Sequence, residues 1–372
     1  MPRAPATPPI EKFVSANGLR VYRMRLEVFP GFDAHVHLVL GLDVPILIDA
    51  GSGLGNCNAD LAERFSMVQM EYGERVTLKD VGRVLVTHGH MDHFGGVQYV
   101  VEQSGALVGI HVLDKRVLTN YEERVLIASK SLREYLVRAG VAGADASEMM
   151  DLYMIGKGFY RSVAVEFLLD EGVELFGCMR FLHVPGHCGG QVCILMDDIL
   201  FAADHVLARL TPHQSPESIT RNVGLGHYLE SLQKVRDLPG VRVSLGGHEV
   251  PVLNLAQRVD EIRQAHQKRL ERVLAICSEP QTIRTVAVAL FGVLQGYNAL
   301  LGLVKLGRTS STCISALSWV LQIWSRCRER WSLQFSTYVC SWLLPACRLL
   351  LLGSAENLIE VPLRGFEPRS KP

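Results

Sequence analysis

Thr87-His88-Gly89-His90-Met91-Asp92-His93-Phe94-Gly95-Gly96 is the stretch that decides the fold. Four potential metal ligands lie within six residues, directly after Val84-Leu85-Val86, a short apolar run read as a buried strand. Imidazole and carboxylate suit zinc and related first-row metals. His88 and His90 alternate around a glycine, so both can point the same way from an extended segment. Asp92 and His93 follow as the chain enters a helix and face a second position. A catalytic metal usually takes three protein ligands, so further donors must come from elsewhere in the chain.

Reading outward, residues 19–28 and 35–49 are expected to be strands, the second ending in Asp49-Ala50-Gly51-Ser52-Gly53, a glycine turn. Residues 58–73 and about 95–102 fit helices, and Leu107–Val112 fits a strand. Residues 114–168 carry apolar side chains at three- and four-residue spacing and read as an inserted helical segment. Strands are then expected at 173–176, 180–184, 192–196, 199–202 and 241–245, with helices at 226–238 and 254–278. Strands alternating with helices suggest a layered α/β sandwich. Three of these strands end in donors: Val184-Pro185-Gly186-His187, Leu200-Phe201-Ala202-Ala203-Asp204 and Leu245-Gly246-Gly247-His248. A lone histidine of this kind is usually structural, but three such sites, each at a strand exit, fit a shared metal centre.

At His88, His90, Asp92, His93, His187, Asp204 and His248, in that order, the chain resembles the metallo-β-lactamase-fold hydrolase superfamily over about residues 18–250. The resemblance implies a four-layer αββα sandwich, here with the helical insert and a C-terminal helical extension. It implies that His88, His90 and His187 hold a first metal, that Asp92, His93 and His248 hold a second, and that Asp204 bridges. The expected cofactor is two zinc ions per chain, with iron or manganese as alternatives. Ala203 departs from the glycine that many members carry before the bridging aspartate. Beyond this region, Arg258, Glu261, Ile262, His266, Arg269 and Leu270 resemble the helix of a subgroup with a C-terminal winged-helix domain. Pro280–Phe291 looks like that domain's first helix, with Thr282 as its N-cap. The expected organisation is a tail at 1–17, a catalytic domain at 18–253, a partial winged-helix-like part at 254–302, and an atypical tail at 303–372.

Other candidates carry less. His35 and His37 have ligand spacing but sit inside a strand, as a packed or solvent-facing pair. His111 and His183 read as structural. His213, His227 and His266 are expected at the surface or behind the ligands. His205, next to Asp204, is taken as a catalytic candidate with Asp92 and Asp204, able to donate a proton. Tyr228 is a candidate donor to a substrate oxygen. Cys188 reads as a small buried residue rather than a ligand. Gly51 and Gly53 make no phosphate loop, because no Lys-Ser/Thr follows.

The 372 residues are 48% hydrophobic and 20% charged, with a formal net charge of zero. This excludes global disorder and argues against a dominant nucleic-acid surface. No apolar run follows Arg3, so the N-terminus does not read as a secretory signal. Nine cysteines without a CxxC pair suggest a reducing, cytoplasmic setting. The average hides a break near residue 303: residues 303–372 hold all four tryptophans, no histidine and no aspartate, with nine Lys and Arg against four Glu. The longest apolar run there, Trp342–Gly353, is too short for a bilayer span and contains Arg348. This tail reads as translation out of frame. Lys305–Ser315, back-translated and read from the third base of the lysine codon, can give Ala-Gly-Ala-His-Val-Glu-Tyr-Leu-Tyr-Gln-Arg, an amphipathic string.

The expected function is hydrolysis of an acyl ester, thioester or lactone by a metal-bound hydroxide. The insert mixes Leu126, Leu136, Met149, Met150, Met154, Phe159 and Tyr160 with Arg124, Arg133, Arg138 and Arg161. Such a roof suits a small acyl substrate bearing a distant anion. A phosphodiesterase or ribonuclease and an iron-dependent sulfur dioxygenase of the same fold are the alternatives, followed by a scaffold without activity. True β-lactamase activity has no support in the sequence. A homodimer stays open.

Overall fold

Short aliphatic strands that are buried on both faces need cover on both sides, and the chain supplies it with helices. The computed structural model describes residues 8–292, apart from 142, 156, 216, 218 and 278–281. Strands β1 (Ile10–Val14), β2 (Arg20–Phe29), β3 (Phe32–Leu40) and β4 (Ile46–Ile48) form an antiparallel meander. Helix α1 (Cys57–Tyr72) then crosses to β5 (Arg83–Leu85), and α2 (Met91–Phe94) and α3 (Val97–Ser104) lead to β6 (Leu107–Ile110). Helices α4 (Lys115–Thr119), α5 (Tyr121–Arg138) and α6 (Gly143–Met154) make the insert, which returns to β7 (Phe167–Leu168). The first sheet runs β1 to β7 in order, parallel from β4 onward. Strands β8 (Glu174–Leu175), β9 (Met179–His183), β10 (Val192–Met196) and β11 (Ile199–Ala203) follow, then α7 (Leu225–Arg236) and β12 (Val243–Gly246). They form a second sheet in the order β12-β11-β10-β9-β8. Helices α8 (Leu255–Ile276) and α9 (Ile283–Phe291) close the described part.

Three cores give the layers. Val21, Val39, Ile48, Leu85, Phe181, Ile194, Phe201 and Leu245 interlock between the sheets. Leu61, Phe65, Val97 and Val100 of α1 and α3 cover the outer face of the first sheet. Leu232, Val235, Val259 and Ile262 of α7 and α8 cover the second. The result is the expected four-layer αββα sandwich. A fourth core lies outside the sandwich: Leu132, Tyr135, Leu136 and Met150 of the insert pack with Val273 of α8 and Val286 and Ala287 of α9.

Two readings are corrected. The segment taken as an N-terminal tail contains β1, paired along its length from Ile10↔Met24 to Val14↔Arg20. An edge strand with one covered face shows only a weak alternation, so its sequence gave little sign. Glu11 of β1 pairs with Arg23, a guanidinium only 1% exposed, whose other contacts are His35 and the Glu249 carbonyl. The supposed tail thus steadies the loop that carries His248. The stretch 35–49 is not one strand but a hairpin, with His37↔Ile48 and Val39↔Ile46 in register and Pro45 at the turn. Thr282 does cap α9, its hydroxyl accepting from the Thr285 amide at 3.1 Å. The tail at 303–372, its out-of-frame reading and any later winged-helix elements lie outside the described residues.

Candidate metal centre

The strands that end on one edge of the sandwich deliver the donors. The loop after β5 carries His88 and His90, α2 carries Asp92 and His93, and the loop after β9 carries His187. Asp204 directly follows β11, and His248 lies just past β12. Donor atoms of His88, His90, His187 and Cys188 lie within 4.8 Å of one another, as do those of His88, His93 and Asp204, and those of Asp92, His93 and His248. Asp204 sits between the groups: its carboxylate is 3.4 Å from His187 Nε2, 3.3 Å from His248 Nε2 and 3.5 Å from His93 Nε2. Asp92 Oδ2 lies 3.3 Å from His248 Nε2 and 3.7 Å from His93 Nε2.

Most of these rings are tethered by the nitrogen that faces away from the centre. His93 Nδ1 donates to Asp49 at 2.8 Å, His248 Nδ1 to the Asp33 carbonyl at 2.7 Å, and His187 Nδ1 to the His213 carbonyl. Thr87 donates its hydroxyl proton to Asp49 at 2.8 Å, so it accepts from His88 Nδ1 at 3.0 Å. This leaves His88 Nε2 as a lone pair, 3.2 Å from His90 Nδ1. His93 Nε2, His187 Nε2 and Asp204 Oδ1 are buried with no hydrogen-bond partner. One anchored nitrogen and one free nitrogen per ring is the pattern of metal-binding histidine. Orphaned buried polar atoms are otherwise costly, so the residues fit a resident metal.

The electrostatics divide the cluster. Burial pushes His88, His90 and His187 down, His90 to about 3, so all three rings are neutral with lone pairs to offer. Burial opposes charge on His93 and His248 too, but Asp204 and Asp92 outweigh it, aided by Asp49 at His93. Both are raised, His248 to about 10. Burial would raise the two carboxyls, yet the facing His93 and His248 hold both below the ordinary carboxylate range. The result is a neutral trio beside a charged set of two carboxylates and two imidazoles.

Backbone strain concentrates at this edge. Asp49 and Ala203 are non-glycine residues in the left-handed region, at φ 61° and 45°. Ala203 sits where β11 breaks register with β12, immediately before Asp204. Glycine adopts that conformation freely, whereas the alanine methyl is strained in it. The buried Gln191 amide, oriented to satisfy both, accepts from the backbone amides of His205 at 2.7 Å and Asp204 at 3.2 Å and fixes the turn. Gly95 and Gly96 let α2 lie against the Ser52 and Ala50 carbonyls, where any side chain would collide.

Several candidates fall elsewhere. His205 is in none of the donor groups of the described residues; its ring is fully buried, edge-on to Tyr228 at 5.2 Å. Tyr228 is also buried and donates to the His205 carbonyl at 2.8 Å, so it braces the fold rather than facing a substrate. His35 is buried against Arg23, and His37 against Phe201 at 5.1 Å. His111 and His183 stack at 4.0 Å. Three of the insert's expected roof residues turn away: Leu136, Met149 and Met150 join the core with α8 and α9. Conversely, Cys188 enters the cluster, its Sγ 3.3 Å from His90 Nε2. Asp49 and Asp114 were not singled out from sequence either. Asp114 is buried and accepts from the Gly89 and Gly190 amides at 2.9 and 3.0 Å, clamping two donor loops together. An aspartate at the exit of a buried strand was the only signal for Asp49.

The Metallo-beta-lactamase superfamily model matches residues 31–248, a span that contains every donor named above. The probable metallo-hydrolase YqjP of Bacillus subtilis is 24% identical over 268 residues, covering 70% of this chain and 81% of that protein. The beta-lactamase-like protein 2 homolog of Caenorhabditis elegans is 23% identical over 208 residues, 55% of each chain. A hydroxyacylglutathione hydrolase of Xanthomonas axonopodis is 24% identical over 200 residues, 52% of this chain and 58% of its own. Against several of these curated relatives the chain thus spans little more than half of their length. Among solved structures, the metallo-beta-lactamase family protein TTHA1429 from Thermus thermophilus shares the fold with a TM-score of 0.63 at 24% identity, covering 77% of this chain and 91% of its own. The chain belongs to the metallo-β-lactamase superfamily.

Proposed function

We propose that this chain is a hydrolase carrying two zinc ions that cleaves an acyl ester, thioester or lactone. The observation that carries it is the placement of Asp204 within 3.3–3.5 Å of three histidine Nε2 atoms, two of which have no hydrogen-bond partner. In this reading His88, His90 and His187 hold one metal, Asp92, His93 and His248 the other, and Asp204 both. Metals bound there would polarise a substrate oxygen and ionise water near neutral pH. The chain's own residues do the positioning. Asp49 and Thr87 fix the His93 and His88 rings, Asp114 fixes the two loops, and Asp92 and Asp204 set the negative charge that holds the cations. His205, fully buried beside Tyr228 and outside the donor groups of the described residues, is given no role in this reading.

An acyl substrate is favoured by the relative named for hydroxyacylglutathione. No described helix is long and apolar enough to cross a membrane. The cysteines of the described residues are all free thiols, in keeping with a reducing, cytoplasmic setting. The test is metal analysis of the purified protein, paired with a panel of thioesters, lactones, β-lactams, bis(4-nitrophenyl) phosphate and RNA. About two zinc per chain with thioester or lactone turnover is expected. Turnover confined to the phosphodiesters, or no turnover after zinc is added, refutes the reading.

A further inference from the structure

Most of the candidate donor rings have supports that work in one direction only. His93, His187 and His248 give the Nδ1 proton to Asp49, the His213 carbonyl and the Asp33 carbonyl, groups that only accept. His88 gives its Nδ1 proton to Thr87, whose own hydroxyl proton is committed to Asp49. His90 differs. Its Nε2 meets the sulfur of Cys188 at 3.3 Å, and a thiol can either give or take a hydrogen bond. Its Nδ1 lies 3.2 Å from His88 Nε2, a bare lone pair. A neutral imidazole carries a single proton. Two lone pairs facing each other at that distance repel, so in metal-free protein the His90 proton belongs on Nδ1, pointing at His88. Nε2 then needs a donor, and the Cys188 S–H supplies it, an ordinary thiol being protonated at neutral pH. When Nδ1 is given over to a metal the demands reverse: Nε2 carries the proton, and the sulfur must accept.

We propose that Cys188 is the positioning residue for His90, its thiol donating to Nε2 in the metal-free protein and its sulfur accepting from Nε2–H in the metal-loaded one. This rests on the metal reading above, with His90 binding through Nδ1, and adds a residue to it. Between the two states the ring gives up a proton at Nδ1 and takes one at Nε2, both exchanged with solvent. Its charge is unchanged, and the S–H turns away from it. A carbonyl or carboxylate in place of the sulfur would serve only the loaded state. The sulfur lies within 4.8 Å of donor atoms of His88 and His187 as well. It meets the His90 nitrogen opposite the one that faces His88, however, so it stands behind the ring rather than on the metal. The loop after β9 thus supplies both a candidate donor, His187, and the support of another donor on the loop after β5.

The test uses ring nitrogen-15 NMR of the wild type, C188A and C188S, metal-free and zinc-loaded, with His90 assigned by comparison with H90Q. In the wild type the His90 proton should sit on Nδ1 without metal and on Nε2 with zinc. In metal-free C188A the Nε2 resonance should move towards that of a lone pair without a donor, and C188S should bring it back. Zinc affinity, by chelator competition, should fall about 10-fold in C188A, the low end for a lost support because a thiol bonds weakly, and recover in C188S. Alanine and serine leave nearly the same space, so a packing role predicts that the two variants behave alike. That outcome, or a His90 proton on one nitrogen in both states, overturns the proposal. Cobalt-loaded wild type should lack a sulfur-to-metal charge-transfer band in the near ultraviolet; its presence would make Cys188 a ligand and sink the idea. If the protein takes up no zinc, the metal reading fails, while the metal-free spectra still decide whether the thiol donates to His90.

Discussion

Replacing Asp49 by asparagine changes one atom and should disturb both halves of the metal centre. In the native arrangement one carboxylate oxygen accepts from the Thr87 amide, and the other accepts from the Thr87 hydroxyl and His93 Nδ1, all at 2.8 Å. An asparagine keeps the first bond through its carbonyl. Its amide nitrogen then faces two donors. Relief requires His93 Nδ1 to lose its proton, which moves that proton to Nε2, the atom that should face the metal. The Thr87 hydroxyl must likewise turn to accept, and its freed proton then points at His88 Nδ1, shifting that ring the same way. Each disturbed support should weaken metal binding by about 10–100-fold. The metal-free fold should lose little, because asparagine tolerates the φ of 61° at this position. Asp49→Ala differs: it breaks a charge-assisted bond and leaves the buried Thr87 amide unpaired, about 3–5 kcal/mol together. Urea unfolding of metal-free protein and zinc affinity by chelator competition separate the two variants. Wild-type zinc affinity in D49N, or D49A as stable as D49N, would refute the reasoning.

Gly247→Ala places a methyl 2.5 Å from Asp204 Oδ1 and 2.6 Å from His93 Cε1; zinc stoichiometry measured on the folded variant should drop, and full loading would contradict the geometry. Ala203→Gly should relieve the left-handed strain and raise stability by about 0.5–1 kcal/mol in urea; a less stable variant would show that the turn is not strained. His111 is held down to about 4 by burial, then by the stacked His183, with Asp170 and Glu171 opposing. Below about pH 6.5 the unfolded chain binds the proton that the fold refuses. The stability contributed by the neutral ring is therefore full above pH 6.5 and is lost as pH falls towards 4, by about 2–3 kcal/mol. His111→Gln should flatten that part of the pH profile relative to wild type, and an identical slope in both would be the contrary result.

The candidate donors stood out because several of them follow an aliphatic strand, and buried strands are visible as apolar runs. Val84–Val86, Leu200–Ala202 and Val243–Leu245 announce themselves, and the polar residue after each stands out. The supports were not legible, because their meaning depends on a partner far away in sequence. Asp49 is informative only once Thr87 and His93 lie beside it, and Asp114 only once Gly89 and Gly190 do. Strand β1 was hidden for the same reason: its identity comes from pairing with β2 and from the Glu11–Arg23 contact. The insert's periodicity was read correctly as helical, but periodicity does not say which body covers the apolar face. Leu136 and Met150 turned out to face α8 and α9.

That packing separates two kinds of heritable change. The residues proposed to hold metal all lie within 31–248, whereas Val273, Val286 and Ala287, against which the insert leans, lie beyond that span. Resizing any of these three would shift the helices of the insert without touching a single candidate donor atom. The far end of the chain therefore sets how the insert sits, independently of the strands that carry the candidate donors.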